Sequence, residues 1–176
     1  MKTHKNRAPG SSPWADRLRA ALPTRELLMA HPRLKPIAHR LLDPALWRLQ
    51  QEAVARGVAI GIFWGFAIPF GQIVVSAAHC VWWRANIPVA AGSTMITNPF
   101  TIGFWLWLAY ELGSLLLDAA PPAPMAEGAG MLAWMTSLGE PAILGMGIFA
   151  LAGAATGYVS VKLVWRLRVW LKRRRR

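Results

Sequence analysis

The chain has 176 residues, enough for one domain, with 55% apolar residues, a net charge of +12 and a positive mean hydropathy of +0.32. Its charges are segregated: none occurs from Gly57 to Trp83, from Ala85 to Tyr110 or from Pro141 to Val161. This excludes an ordinary soluble domain and argues against nucleic acid as a partner, because the 11 Lys and Arg before Gly57 and the 8 after Val161 flank the apolar block.

In chain order, residues 1–12 read as a disordered basic N-terminus. Residues 13–56 read as amphipathic cytoplasmic or interfacial helices, with segments at Trp14–Leu22, Thr24 to Ala30 and Leu34–Leu42 separated by Pro23, Pro32 and Pro36. Asp43-Pro44 has the pattern of an N-cap and first helical residue. It predicts a helix carrying Leu46, Trp47, Leu49, Ala53 and Val54 beside Arg48 and Arg56. The first 30 residues hold no apolar core of a signal peptide, so the first membrane segment is expected to act as its own insertion signal.

Residues 57–161 read as a transmembrane domain, since uncharged runs of this length reach across ~30 Å of hydrocarbon as helix. The first element, 57–83, opens with Gly57, Gly61 and Gly65 on one face, a surface for close helix packing. It is then interrupted by Ile68-Pro69-Phe70-Gly71-Gln72, where proline removes a donor and glycine permits a reversal. The second element, 87–117, would run ~46 Å as one straight helix, too long for the core. It carries its own break at Thr97-Asn98-Pro99-Phe100-Thr101. Structural bends are therefore expected at Pro69, Gly71 and Pro99. Residues 118–140, with Pro121, Pro122 and Pro124, form a Pro-rich outside loop, and 141–161 forms the last transmembrane helix. Gly153 and Gly157 give that helix a close-packing face, and 162–176 is a basic cytoplasmic tail.

Charge bias places both termini in the cytoplasm, which demands an odd number of crossings between Gly57 and Leu117. One solution folds 57–83 as a re-entrant hairpin bent at Pro69–Gly71, so that Arg84 returns to the cytoplasmic side. The other uses three ordinary spans and strands one basic terminus outside. Charge bias favours the hairpin, so the expected fold is all-α: an integral membrane helical protein with proline-interrupted segments.

Leu46 to Gln72, the Thr97–Thr101 element and Tyr110-Glu111-Leu112-Gly113 together resemble the bacterial family called domain of unknown function 2062, over about residues 40–117. Glu52-Ala53 departs from the Arg-Ser pair that many members carry. The resemblance implies a prokaryotic inner-membrane protein and no established reaction or cofactor; some members are joined to envelope-biogenesis modules.

Gln72, Thr97, Asn98, Thr101 and Glu111 are the candidate substrate-binding residues. The first four flank the breaks, where they either line a small polar site between half-helices or satisfy backbone groups freed by the prolines. Glu111 is a carboxylate near the end of the second run, suited to cation coupling or to the headgroup region. His79 and the lone Cys80 point about 100° apart on a helix and make no metal pair, so an interhelical hydrogen bond is expected of His79. No phosphate loop, zinc-protease, nucleophile-elbow or Cys-x-x-Cys motif occurs, so no catalytic residue and no cofactor is expected. The leading expectation is a transport-type or small-solute or lipid-headgroup binding module, touching anionic headgroups at its basic termini. The alternative is a scaffold that recruits envelope-biogenesis partners or a second copy through its Gly-rich faces.

Overall fold

The computed structural model describes residues 32, 40, 43–118, 130, 133 and 137–174. The expectations for 1–12, for the helices before Asp43 and for most of the Pro-rich loop lie outside them. Every element among the described residues is helical. They are a 3-10 turn Pro44–Trp47, then α1 (Gln51–Ala67), α2 (Gln72–Trp83), α3 (Ile87–Ser93) with a further 3-10 turn Thr94–Ile96, α4 (Ile102–Leu117) and α5 (Gly139–Arg174).

One expectation is corrected at the start. Asp43 does cap, its Oδ1 accepting from Ala45 N at 2.8 Å. The helix it begins stops at Trp47, however, and the backbone is extended at Arg48 and Gln50 before α1 starts. The reason is tertiary: the side-chain amide of Asn86 donates to Arg48 O at 2.9 Å. Leu46 is meanwhile drawn into a core with Ile60, Ala77, Cys80 and Ile87. These contacts outweigh the local preference for one continuous helix.

α1 and α2 form a hairpin. It turns through Ile68–Gly71, with Gly71 left-handed at φ 73°. Arg84 caps α2, also left-handed. Arg56 near the start of α1 donates to Trp83 O at the end of α2 at 3.0 Å, which brings the open ends of the hairpin together. α3 then packs along the glycine face of α1. A Cβ at Gly57 would come within 2.7 Å of Asn86 O, and one at Gly61 would collide with Ala90 O.

α5 is ~54 Å long at 1.5 Å per residue and runs antiparallel to α1 and then α4. Tyr158 meets Glu52, Gly153 faces Ile62, and Phe149 packs on Phe66. Farther along, Gly145 lies on Ala109 and Gly113 on Pro141 so closely that a Cβ on either glycine would clash with backbone. α1 and α4 thus lie end to end along α5, meeting where the Phe66 and Trp105 rings contact edge to face. The helix continues past Val161 through the expected tail to Arg174, with Lys172, Arg173 and Arg174 in its last turn, where cations suit the helix dipole.

α5 is the one helix among the described residues long and apolar enough to cross a membrane by length and composition. Of its most apolar stretch, 22% is buried within the fold.

Candidate functional site

Two polar constellations occupy different levels of the fold. The first lies where the two proline breaks meet. In an α-helix the carbonyl of residue i accepts from the N–H of residue i+4, so Pro69 leaves the carbonyl of Gly65 in α1 without its helical donor. Met95 lies in the 3-10 turn, where the donor three residues on would be Asn98 N, and that N–H is held by the Thr101 hydroxyl instead. The Thr97 hydroxyl donates to Gly65 O at 2.6 Å, and the Asn98 side-chain amide donates to Met95 O at 3.2 Å. Both carbonyls are satisfied by side chains of the Thr-Asn-Pro element.

The neighbouring groups are also engaged. Gln72 Nε2 donates to the carbonyls of Thr94 (3.2 Å) and Thr97 (3.1 Å), locking the start of α2 to the end of α3. Asn98 Oδ1 accepts from the backbone N–H groups of Phe100 and Thr101. The Thr101 hydroxyl accepts from Asn98 N and donates to Ile96 O, and the Trp105 indole donates to Ile96 O at 3.0 Å. Gln72 and Thr97 are buried, whereas Phe70 and Phe100 at the bends are exposed. The fold therefore brings together Gln72, Thr97, Asn98 and Thr101. Glu111 stands apart from them, exposed farther along α4 beside a shallow apolar depression formed with Leu108, Leu112, Leu115 and Phe149.

His79 and Cys80 diverge as helical geometry requires. His79 Nδ1 accepts from the Trp64 indole N–H at 2.8 Å, a bond from α1 to α2. Cys80 is fully buried.

The second constellation is a cleft of about 610 Å³ at the open end of the hairpin, between α1, α2 and α5. Ile60 and Phe63 of α1 form its floor. One wall is His79, Trp82 and Trp83 of α2, and the other is Ala154 and Tyr158 of α5. Glu52, Arg56 and Arg84 stand on its rim. Trp82 and Trp83 are exposed.

The rim charges form a network. Glu52 pairs with Arg56 at 3.1 Å and with Lys162 at 3.0 Å. It also accepts from the Tyr158 hydroxyl at 2.7 Å, and Lys162 donates to that hydroxyl at 2.9 Å. The hydrogen bonds from Tyr158 and Lys162 hold the Glu52 carboxyl down at about 2, and the same contacts raise Lys162 above its ordinary value. Both groups are solvent-accessible, so the network orders the rim more than it stabilises the fold. Arg84 lies 3.7 Å from Asp43.

Sequence reasoning did not single out this cleft. Glu52 and Tyr158 are 106 residues apart. The signals available were Glu52, an acidic residue in a basic segment, and Tyr158 with Lys162, one turn apart on the last helix.

The sequence profile of a family described as an uncharacterized protein conserved in bacteria (DUF2062) matches residues 34–175. The chain belongs to this family. The matched stretch runs beyond the 40–117 region of the motif resemblance to include α5, so both constellations fall within the family domain. Neither a search of curated proteins nor one of solved structures returns a match.

Proposed function

We propose that this DUF2062 protein is a multi-pass bacterial inner-membrane protein that binds a lipid headgroup on its cytoplasmic side. In this reading α5 crosses the bilayer and α3 with α4 crosses as one broken helix. The α1–α2 hairpin is re-entrant, dipping from the cytoplasmic side to the level of the two bends. Two features support the topology. α2, with 12 residues, is too short to cross the hydrocarbon core. Arg84 at its end also lies beside Asp43 and near Arg56, on the side of the basic C-terminal turn.

The observation that carries the function is the composition of the cleft. Its apolar, aromatic floor and walls meet an ionised rim at the basic end of the fold, the level at which headgroups lie beside exposed Trp82 and Trp83. A volume of about 610 Å³ suits a ligand of headgroup size. A conduit reading has less support, because the polar groups at the bends are occupied with backbone atoms. A scaffold working through its glycine faces has less support too: Gly57 and Gly61 pack on α3, and Gly153 and Gly157 pack on Ile62 and Val58 of α1.

The test is lipid retention. Detergent-purified protein, washed free of bulk lipid, is expected to keep about one phospholipid per chain by phosphorus assay, as a single cleft requires. Ala154→Phe, which fills the cleft without changing charge, is expected to lose it. Wild-type protein that retains none counts against the proposal.

A further inference from the structure

The charges around the cleft carry the ligand chemistry further, an inference that rests on the headgroup-binding reading above. Five ionisable side chains form two separate ion-paired groups at and beside the rim: Glu52 with Arg56 and Lys162, and Asp43 with Arg84. The first group carries +1 and the second is neutral, so the rim has a net charge of +1. Arg56 uses its Nε on Glu52 and one terminal nitrogen on Trp83 O, leaving three of its five N–H donors free of these bonds. Arg84 is 73% exposed, and its contact with Asp43, at 3.7 Å, is too long for a hydrogen bond. His79 accepts at Nδ1, which puts the proton of the neutral ring on Nε2 and makes that nitrogen a donor.

We propose that the cleft is a site for an anionic glycerophospholipid whose phosphodiester carries the only headgroup charge, with Arg56 and Arg84 as its ligands. A single negative charge balances the +1 of the rim. A phosphomonoester dianion overshoots it, and a zwitterionic headgroup brings an ammonium toward two guanidiniums. Guanidinium groups suit phosphate because their planar donors pair with two oxygens at once. The glycerol and the first acyl carbons then lie on Phe63, Ile60 and Ala154, and Trp82 flanks them at the interface.

The experiment is native mass spectrometry of the full chain released from nanodiscs of equal parts phosphatidylglycerol, phosphatidylethanolamine, phosphatidylcholine and phosphatidic acid. The expected result is preferential retention of phosphatidylglycerol by the wild-type protein. Arg84→Gln is expected to reduce that preference roughly tenfold, the loss of one charged hydrogen bond. Because Arg84 is exposed, this variant tests the site without disturbing the hairpin, whereas Arg56→Gln also releases Trp83 O. Lys172→Gln, on the terminal turn of α5, is expected to leave the preference unchanged. Lipid retained without regard to headgroup overturns the phosphodiester assignment and leaves the headgroup-binding reading standing. Preference for phosphatidic acid overturns it in favour of a phosphomonoester. Displacement of the lipid by soluble glycerol 3-phosphate overturns it in favour of free phosphate. A preference unchanged in Arg84→Gln overturns the site. No retained lipid of any class removes the headgroup-binding reading itself.

Discussion

The Thr97 hydroxyl lies 2.6 Å from the carbonyl of Gly65, the acceptor that Pro69 leaves without a helical partner. The Asn98 side-chain amide likewise satisfies Met95 O, in the 3-10 turn before Pro99. A proline break in an apolar helix is tolerated when another group supplies the missing donor, and here one three-residue element satisfies a carbonyl at each break. The Thr-Asn-Pro sequence thereby ties the hairpin tip to the broken helix beside it.

Removing either donor strands a carbonyl. Thr97→Val keeps the shape of the side chain but leaves Gly65 O unpaired, and is expected to destabilise the protein by about 1–3 kcal/mol. Thr97→Ser should recover most of the loss. Thermal denaturation of the detergent-solubilised variants measures both, and a valine variant as stable as wild type would mean that the bond contributes nothing.

The glycines divide into two groups. Gly61→Ala, Gly113→Ala and Gly145→Ala each force a methyl against backbone of a neighbouring helix. Each is expected to lose at least about 1–3 kcal/mol, the range of overpacked sites. A Cβ at Gly103, in the first turn of α4, meets nothing within 4 Å. Gly103→Ala should therefore be tolerated, neutral or stabilising by up to about 0.5 kcal/mol, since alanine is the better helix former and the first turn feels less than the interior difference. The same denaturation series distinguishes the groups; an equal loss at Gly103 would contradict the helix contacts described above.

The tie between α1 and α5 has a pH signature. Glu52 titrates at about 2 in the folded protein, against an ordinary value of 4.5. A depressed carboxylate contributes its stability above the ordinary value and loses it as pH falls toward the folded one. The contribution should therefore be constant from about pH 8 to about pH 5 and fall between about 4.5 and 2. Because Glu52 and Lys162 are solvent-accessible, Glu52→Gln is expected to lower the melting temperature only slightly at neutral pH and to make the acid decline shallower. An acid profile with the wild-type slope in that variant would remove Glu52 from the network.

Much of the fold was legible because its breaks are written in residues with strict backbone demands. Pro69, Gly71 and Pro99 marked the interruptions, and Gly57 and Gly61 marked a face that another helix covers. The end of the Asp43 helix at Trp47 was not legible, because the group that takes the Arg48 carbonyl is Asn86, 38 residues away. The continuation of α5 to Arg174 could have been read, since no proline or glycine follows Gly157. At the bends the residue types were visible and their partners were not. The donor role of Thr97 follows from counting four residues back from Pro69, but only the packed structure brings the two segments together. The cleft was the least visible feature, since its floor and its two walls come from three helices far apart in the chain.

The re-entrant hairpin is the central claim, and the sidedness of Arg84 tests it most directly. In a Cys80→Ser background, single cysteines at Arg84, Asp118 and Arg174 are labelled with a membrane-impermeant maleimide in intact and in permeabilised cells. Positions 84 and 174 are expected to label after permeabilisation alone, and position 118 in intact cells. Labelling of position 84 from outside, together with position 118, would mean that the first element crosses the membrane outright, and would contradict the hairpin.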